Sequence, residues 1–83
     1  MVINIHPHAR QRMIERCVEE DEVYATIAGG EVFSVKFGRT GFRRNFVFDK
    51  EFRGKPYGTK QVEVIAVQEG NDWILVTVIT RFF

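Results

Sequence analysis

The sequence predicts an α+β domain in which two N-terminal helices pack on one face of a four-stranded antiparallel sheet. Two helix-like segments precede Gly30, and after it the apolar residues change to a period of two, which is typical of strands. The chain has 83 residues, of which 45% are hydrophobic. This is enough for one small core without a stabilising metal or disulfide. We therefore expect a single domain over residues 1–83.

The stretch HPHARQRMIERC predicts the first helix, from Pro7 to Cys17. Proline suits the first helical position, where its missing N–H costs nothing. At 100° per residue, His8, Arg12 and Arg16 fall within about an 80° arc, one turn above another. They border the apolar stripe of the helix, in which we expect Cys17 to be a small buried hydrophobe. Basic side chains beside a buried face are candidates for a site; the alternative is that they cap the sheet edge and pair with Glu15.

Residues 19–28 predict the second helix. Three carboxylates in its first turn suit the positive end of the helix dipole, and Val18 is placed to pack back on Val23. Gly29 and Gly30 are expected to end the helix by allowing a left-handed cap. The acidic run is explained by these helix-start preferences, because adjacent helical carboxylates point apart and no histidine is near them in the sequence.

Four strands are expected after the helices, and Met1–Ile5 is either a lead-in strand or a tether. Their predicted bounds are Glu31–Phe37, Phe42–Phe48, Lys60–Gln68 and Trp73–Arg81. Residues 49–58 are expected to be irregular because they contain two glycines and a proline. Gly70-Asn71 predicts a tight hairpin. With the aromatic faces of the first two strands under the helices, the sequence places Ser34, Lys36, Arg43 and Asn45 on the open face of the sheet.

The charge of the chain is lopsided although its net value is +1. Residues 1–35 carry a net −3, residues 36–60 a net +6, and residues 61–83 a net −2. A central block this basic indicates a surface for a polyanion; the alternative is a solvated hairpin whose cations protect an edge strand. The side chains that we expect to contact phosphate are Lys36, Arg39, Arg43, Arg44 and Lys60.

Several other kinds of protein are disfavoured by the sequence. One cysteine cannot form an internal disulfide, no signal peptide is apparent, and the longest apolar run is far shorter than the ~20 residues of a membrane-spanning helix. We therefore expect a cytoplasmic protein without membrane association. His6 and His8 flank a proline but have no further ligand residue nearby, so we expect no metal and no cofactor.

The residues His8-Ala9, Arg12-Met13 and Arg16, with the tail Val78-Ile79-Thr80, resemble the family called domain of unknown function 4258. This family includes small bacterial and phage-associated proteins and modules of larger toxin-like chains. Its layout is similar to that of the barnase–EndoU–colicin–RelE group, whose active members are metal-independent ribonucleases. The resemblance implies that His8, Arg12, Arg16 and Thr80 are the catalytic positions. Such tails often have Tyr two residues after the threonine, whereas this chain has Phe82.

The function that we expect from this resemblance is a toxin-like, metal-independent ribonuclease that binds RNA between the first helix and the basic sheet face. His8 would be the base for the 2′-hydroxyl, Arg12 and Arg16 would hold the phosphate, and Thr80 would position it. A cognate antitoxin or immunity protein is the implied protein partner. The alternative is a non-catalytic module that binds nucleic acid or a protein through the same basic face.

Overall fold

The computed structural model describes residues 2–83, in which two helices lie on one face of a five-stranded sheet. The strand order is β1-β5-β4-β3-β2. None of the helices in this part of the chain is long and apolar enough to cross a membrane. The elements are β1 (Ile3–Ile5), α1 (Pro7–Glu15), α2 (Glu20–Gly29), β2 (Glu31–Val35), β3 (Arg39–Phe52), β4 (Lys55–Glu69) and β5 (Asp72–Phe82).

The α+β class and the two N-terminal helices are confirmed, but the prediction of four antiparallel strands is wrong. The N-terminal segment, for which the sequence allowed either a strand or a tether, contains β1. This strand pairs in parallel with β5, and Ile3 lies opposite Trp73. The other strand pairs are antiparallel. Three residues are too few for an alternating pattern to identify a strand, so the sequence could not decide this element.

The core lies between the two helices and the sheet face that they cover. Both helices contribute apolar side chains at helical spacing, and β4 and β5 contribute alternate residues from the facing side. Complete burial of each such aliphatic side chain contributes about 1.5–3 kcal/mol to folding. The side chains in this cluster include Ala9, Met13, Val23, Ile27, Phe42, Val62, Val64, Leu75 and Val78.

Helix α1 ends two residues earlier than predicted, at Glu15, in a Schellman motif. Cys17 takes the left-handed conformation, with φ 57°, and its N–H donates to the carbonyl of Ile14 at 3.4 Å. The N–H of Val18 donates to the carbonyl of Met13 at 2.9 Å. This turn buries Val18 in the core and leaves Cys17 exposed. The prediction of a buried cysteine is therefore wrong, because the chain has already left the helix at that residue.

The glycines at the end of α2 have a different role from the left-handed cap that was predicted. Gly30 has φ −84° and ψ 170°, which is ordinary extended backbone. A Cβ at this position would lie 2.4 Å from the carbonyl oxygen of Thr26 and 2.7 Å from that of Arg43. Glycine is required here because α2 and β3 approach each other closely at backbone level.

The turn between β2 and β3 begins two residues before the predicted one and reverses the face of β2. Phe33 pairs with Gly41, and Val32 pairs with Phe42. Because directly paired residues share a face, Phe33 lies on the open face and not under the helices. Phe37 is in the turn, with φ 65°, and its side chain is exposed.

The reversed register also corrects the predicted open face of the sheet. Arg43 and Asn45 lie there, on the side away from the buried Phe42, as predicted. Ser34 pairs with Thr40 and therefore points to the opposite side, and Lys36 belongs to the turn. The turn starts two residues and ends three residues earlier than predicted, so the strand register changes by an odd number and side chains of β2 move to the other face.

Residues 49–58 are not irregular as predicted but complete a long hairpin between β3 and β4. Arg53 and Gly54 form a two-residue turn in which both have positive φ, 51° and 81°. The register shifts between Val47 and Lys50, which marks a β-bulge. We call residues 50–57 the β3–β4 ribbon. Of the residues that suggested a loop, Gly54 lies in the turn, Pro56 lies in the ribbon, and Gly58 follows the ribbon in β4.

Candidate functional site

Arg16 and Thr80 join the end of α1 to β5 by two hydrogen bonds. The Arg16 guanidinium donates to the carbonyl of Val78 at 2.6 Å, and the Thr80 hydroxyl donates to the carbonyl of Arg16 at 2.7 Å. That carbonyl belongs to the helix end, where backbone acceptors have no intrahelical donor. The single proton of Thr80 is thereby used in the fold, whereas Arg16 keeps further N–H donors for a ligand.

Arg12 is paired within α1. Its guanidinium donates to Glu15 at 2.7 Å, and Gln11 donates to the other carboxylate oxygen of Glu15 at 3.3 Å. The hydrogen bond from Arg12, followed by that from Gln11, lowers the pKa of Glu15 from its ordinary value. Glu15 is therefore ionised at neutral pH, and it compensates the charge of Arg12 within one helical turn.

His8 lies exposed at the start of α1, in contact with His6. The backbone N–H of His8 donates to Nδ1 of His6 at 3.1 Å, so that the His6 side chain caps the helix. Neutral His6 then carries its proton on Nε2. The two rings are T-shaped, with centroids 5.0 Å apart. His6 was not predicted as a cap, because histidine is not among the usual N-cap residues; its position directly before a helical proline was the available signal.

The four predicted catalytic residues occupy two separate places along α1. His8 and Arg12 line a shallow depression at the start of the helix. Arg16 and Thr80 line another at its end. Eight residues at 1.5 Å per residue separate His8 from Arg16 by about 12 Å along the helix axis. The structure brings these residues together in pairs and not in one cleft.

We call the second of these the α1 C-terminal depression; its volume is about 190 Å³. It combines two guanidinium groups, a hydroxyl and two aromatic rings, with the paired carboxylate of Glu15. Phe52 and Arg53 were not predicted as site residues, because the glycines and the proline of residues 49–58 favoured an irregular loop. That segment mixes three basic with two aromatic residues, and this was the available signal. The lining residues are Glu15, Arg16, Phe52, Arg53, Thr80 and Phe82.

Two of the five predicted phosphate-binding residues are engaged on the helix side of the sheet. Lys60 is buried, and its ammonium donates to Glu22 at 2.8 Å and to the carbonyl of Cys17. Arg44 donates to the carbonyl of Ala25 in α2 at 2.8 Å. Both cations satisfy acceptors of the helices, which explains how a basic residue can point toward the core.

Arg43 is engaged on the open face, where it shares a buried carboxylate with Arg81. Glu63 accepts from Arg43 at 2.8 Å and from Arg81 at 2.7 Å, and only 8% of its side chain is exposed. Desolvation raises the pKa of Glu63, but the hydrogen bonds from Arg81 and Arg43 outweigh it, so that the pKa is lowered from its ordinary value. The carboxylate is therefore charged at neutral pH and compensates part of the basic block.

Lys36 and Arg39, the remaining two of the predicted set, are exposed near the β2–β3 turn. The exposed cations Lys50, Arg53 and Lys55 lie in the β3–β4 ribbon. The central basic block thus separates into two exposed groups, one in each hairpin, and an internally paired middle. Within residues 2–83 no group of three histidine, cysteine, aspartate or glutamate side chains is placed to hold a metal ion.

The sequence profile of the family described as domain of unknown function (DUF4258) matches residues 5–80. The chain belongs to the DUF4258 family. This confirms the family resemblance carried by the first helix and the last strand. No curated protein and no solved structure matches the chain.

The DUF4258 match contains all four residues of the predicted polar motif, together with Phe52 and Arg53 of the depression. Phe82, which completes that depression, lies beyond the matched range. In this DUF4258 chain the motif residues form hydrogen bonds that hold the fold together, and they also line two surface depressions. The family description names no activity, so the function is inferred from the geometry of the site.

Proposed function

We propose that this chain is an RNA-binding domain and that RNA phosphates bind in the α1 C-terminal depression. The observation that carries this proposal is the placement of Arg16 and Arg53 around one depression. Guanidinium groups suit phosphate because their planar set of N–H donors can contact two of its oxygens at once. The carboxylate in the depression, Glu15, already accepts from Arg12 at 2.7 Å, which reduces its repulsion of an anion.

The distribution of exposed charge supports the same location. Arg43, Arg44 and Lys60 are held by protein acceptors, so they are less suited to binding a polyanion. Lys50 and Lys55, in contrast, are exposed in the β3–β4 ribbon, which itself contributes to the depression. A phosphate chain leaving the depression along the ribbon would meet these further cations.

The test compares Arg53→Gln with Arg39→Gln, which removes the same charge from an exposed arginine beside the β2–β3 turn. Binding of a fluorescent single-stranded oligoribonucleotide is measured by anisotropy, in chelator, over a series of salt concentrations. We expect Arg53→Gln to weaken binding about five- to tenfold at low salt and to reduce the salt slope by about one. Arg39 was predicted from the sequence to contact phosphate, but it lies in the β2–β3 hairpin and does not line the depression, so Arg39→Gln should bind like the wild type.

Two results would contradict the proposal. Absence of salt-dependent RNA binding by the wild-type protein would exclude the function itself. Equal losses in the two arginine variants would show that RNA is attracted by net charge and does not occupy the α1 C-terminal depression. Circular dichroism spectra of both variants establish that the fold is unchanged.

A second candidate function, metal-independent cleavage of RNA, is favoured by the adjacent rings of His6 and His8. Their centroids are 5.0 Å apart, and Arg12 lines the same depression as His8. His8 would take the proton of the 2′-hydroxyl as its oxygen attacks phosphorus. His6 would position His8 through its cap on the His8 N–H. A water molecule would protonate the leaving 5′-oxygen as its bond to phosphorus breaks, and Arg12 would stabilise the phosphorane.

This candidate predicts that the wild-type protein shortens RNA in the presence of chelator and that His8→Gln loses at least about a hundredfold in rate. Arg10→Gln, a change on the same helix outside that depression, is the control. Full activity of His8→Gln would remove His8 from the chemistry, and intact RNA with the wild-type protein would reject cleavage. For a toxin-type enzyme we also expect growth arrest on expression, relieved by a cognate inhibitor protein.

A further inference from the structure

The β3–β4 ribbon projects beyond the end of β5. Residues 50–52 pair with residues 55–57, whereas the backbone of Phe83 already pairs with Gly58 and Thr59. Beyond that point the two strands of the ribbon have only each other as partners in the sheet. The ribbon nevertheless reaches back to α1, because Phe52 and Arg53 line the α1 C-terminal depression together with Arg16.

Four aromatic rings form a cluster at the base of this ribbon: Phe82 lies at the centre, and three other rings pack on it. Phe52 stacks on Phe82, with centroids 4.2 Å apart and planes at 17°. Phe48 and Tyr57 pack on the same ring at 5.0 Å and 5.6 Å. All four side chains are half-buried, and Phe52 and Phe82 contribute to the wall of the depression. The cluster therefore offers aromatic surface to anything that enters there.

Cations accompany these rings. The guanidinium carbon of Arg53 lies 5.0 Å from the centroid of Phe52, and the ammonium of Lys50 lies 5.9 Å from that of Phe48. Arg16 lines the same depression from the side of α1. An aromatic surface beside two guanidinium groups matches the two chemical parts of a nucleotide, a flat base and an anionic phosphate.

We propose that Phe52 is a base-stacking residue and that the domain therefore binds single-stranded RNA in preference to duplex RNA. This inference rests on the proposed RNA-binding function and adds its substrate class. An unpaired base can place its face on an aromatic side chain, whereas the bases of a duplex are stacked on one another and are not available. Phe82 covers one face of Phe52, so the base would take the other face, over which the exposed Arg53 side chain lies. The Arg53 guanidinium would then turn to the phosphate next to the stacked base, opposite Arg16.

The experiment measures the anisotropy of a labelled oligoribonucleotide, either single-stranded or annealed to its complement, with the full-length protein in chelator. We expect the wild type to bind the single strand at least about tenfold more tightly than the duplex. Phe52→Leu, which keeps an apolar side chain in the cluster, should weaken single-strand binding about tenfold and leave the weak duplex binding unchanged.

The matched control is Phe33→Leu. The ring of Phe33 is also covered by a guanidinium, since the guanidinium carbon of Arg43 lies 4.6 Å from its centroid. Phe33, however, lies on the open face of the sheet. This variant should bind like the wild type. Phe52→Trp provides a second readout that does not depend on losing the ring: its added fluorescence should be quenched by the single strand and not by the duplex.

The inference is overturned by equal wild-type affinity for the two RNAs, by unchanged single-strand binding in Phe52→Leu, or by absence of quenching in Phe52→Trp. Each of these results leaves the proposed function standing, provided that Arg53→Gln still weakens RNA binding. Absence of any RNA binding by the wild type would instead reject the proposed function together with this inference. The two failures are therefore distinguishable.

Discussion

Cys17 and Val18 show why periodicity alone misplaces residues at a helix end. The apolar stripe of α1 continues through Cys17 in the sequence, but the backbone turns left-handed there and buries Val18 instead. The usual signal for such a turn is glycine, which this chain does not have at Cys17. The motif residues before it could be recognised from the sequence; the point where the helix stops could not.

The left-handed conformation leads to a stability prediction at Cys17. Cys17→Gly should be about 1 kcal/mol more stable than Cys17→Ala, because a Cβ in this conformation is strained and a glycine is not. Urea unfolding of the two variants, followed by circular dichroism, measures the difference. A buried cysteine side chain would give the reverse order, since glycine would then leave the larger cavity and the more flexible unfolded chain.

Arg16 and Thr80 illustrate the same limit for the candidate site. Helical spacing indicated that Arg16 belongs to a polar site beside the apolar stripe, and the family resemblance implied Thr80; the two residues do border one depression. Their reciprocal bonds to the backbone depend on the position of β5, which is more than sixty residues away in the sequence. Local patterns carry no information about such distances, so the separation of His8 from Thr80 could not be predicted.

At the scale of elements, most helices and strands were predictable, and the errors concern how they are connected. The alternation of β4 and the tight turn at Gly70-Asn71 follow the predicted pattern, with Glu69 paired to Asp72. The β2–β3 turn and the β3–β4 ribbon differ from the predicted pattern. In both cases turn positions with positive φ are occupied by residues such as Phe37 and Arg53, whose types do not predict a turn.

The junction between α2 and β2 supplies a prediction at this scale. Gly30→Ala should lower the free energy of unfolding by about 2–3 kcal/mol, because the new methyl group would collide with two backbone carbonyls. Gly29→Ala is the matched control. Its methyl group would meet the end of the flexible Arg44 side chain at 2.9 Å, which can move away, so we expect little change.

Chemical denaturation of the two glycine variants decides between these roles. A left-handed cap at either glycine would make alanine costly for conformational reasons, but neither has positive φ. If Gly30→Ala and Gly29→Ala were equally stable, the close approach of α2 to β3 would not be the reason for the glycine. The sequence identified the end of this helix correctly; the reason for the glycine needed the position of a neighbouring strand.

At the scale of the whole molecule, the sequence determines the net charge but not which charged side chains are exposed and able to bind a ligand. The net +6 of residues 36–60 is a property of composition, but two of the arginines and one of the lysines, Arg43, Arg44 and Lys60, are held by carboxylates and by backbone carbonyls. What remains exposed is concentrated in the β2–β3 and β3–β4 hairpins. A chain with this composition could have presented one basic surface, and the fold divides it.

The pairing of β1 and α1 with β5 also determines when the fold can be completed during synthesis. The first strand joins the last one, and α1 is tied by Arg16 to a carbonyl of β5. While the ribosome is still translating the middle of the chain, the nascent α1 has no β5 to pack against, and its apolar stripe stays exposed. Folding must therefore wait for residues 72–82 to leave the exit tunnel, so a partly translated chain would lack the α1 C-terminal depression, to which β5 contributes Thr80 and Phe82.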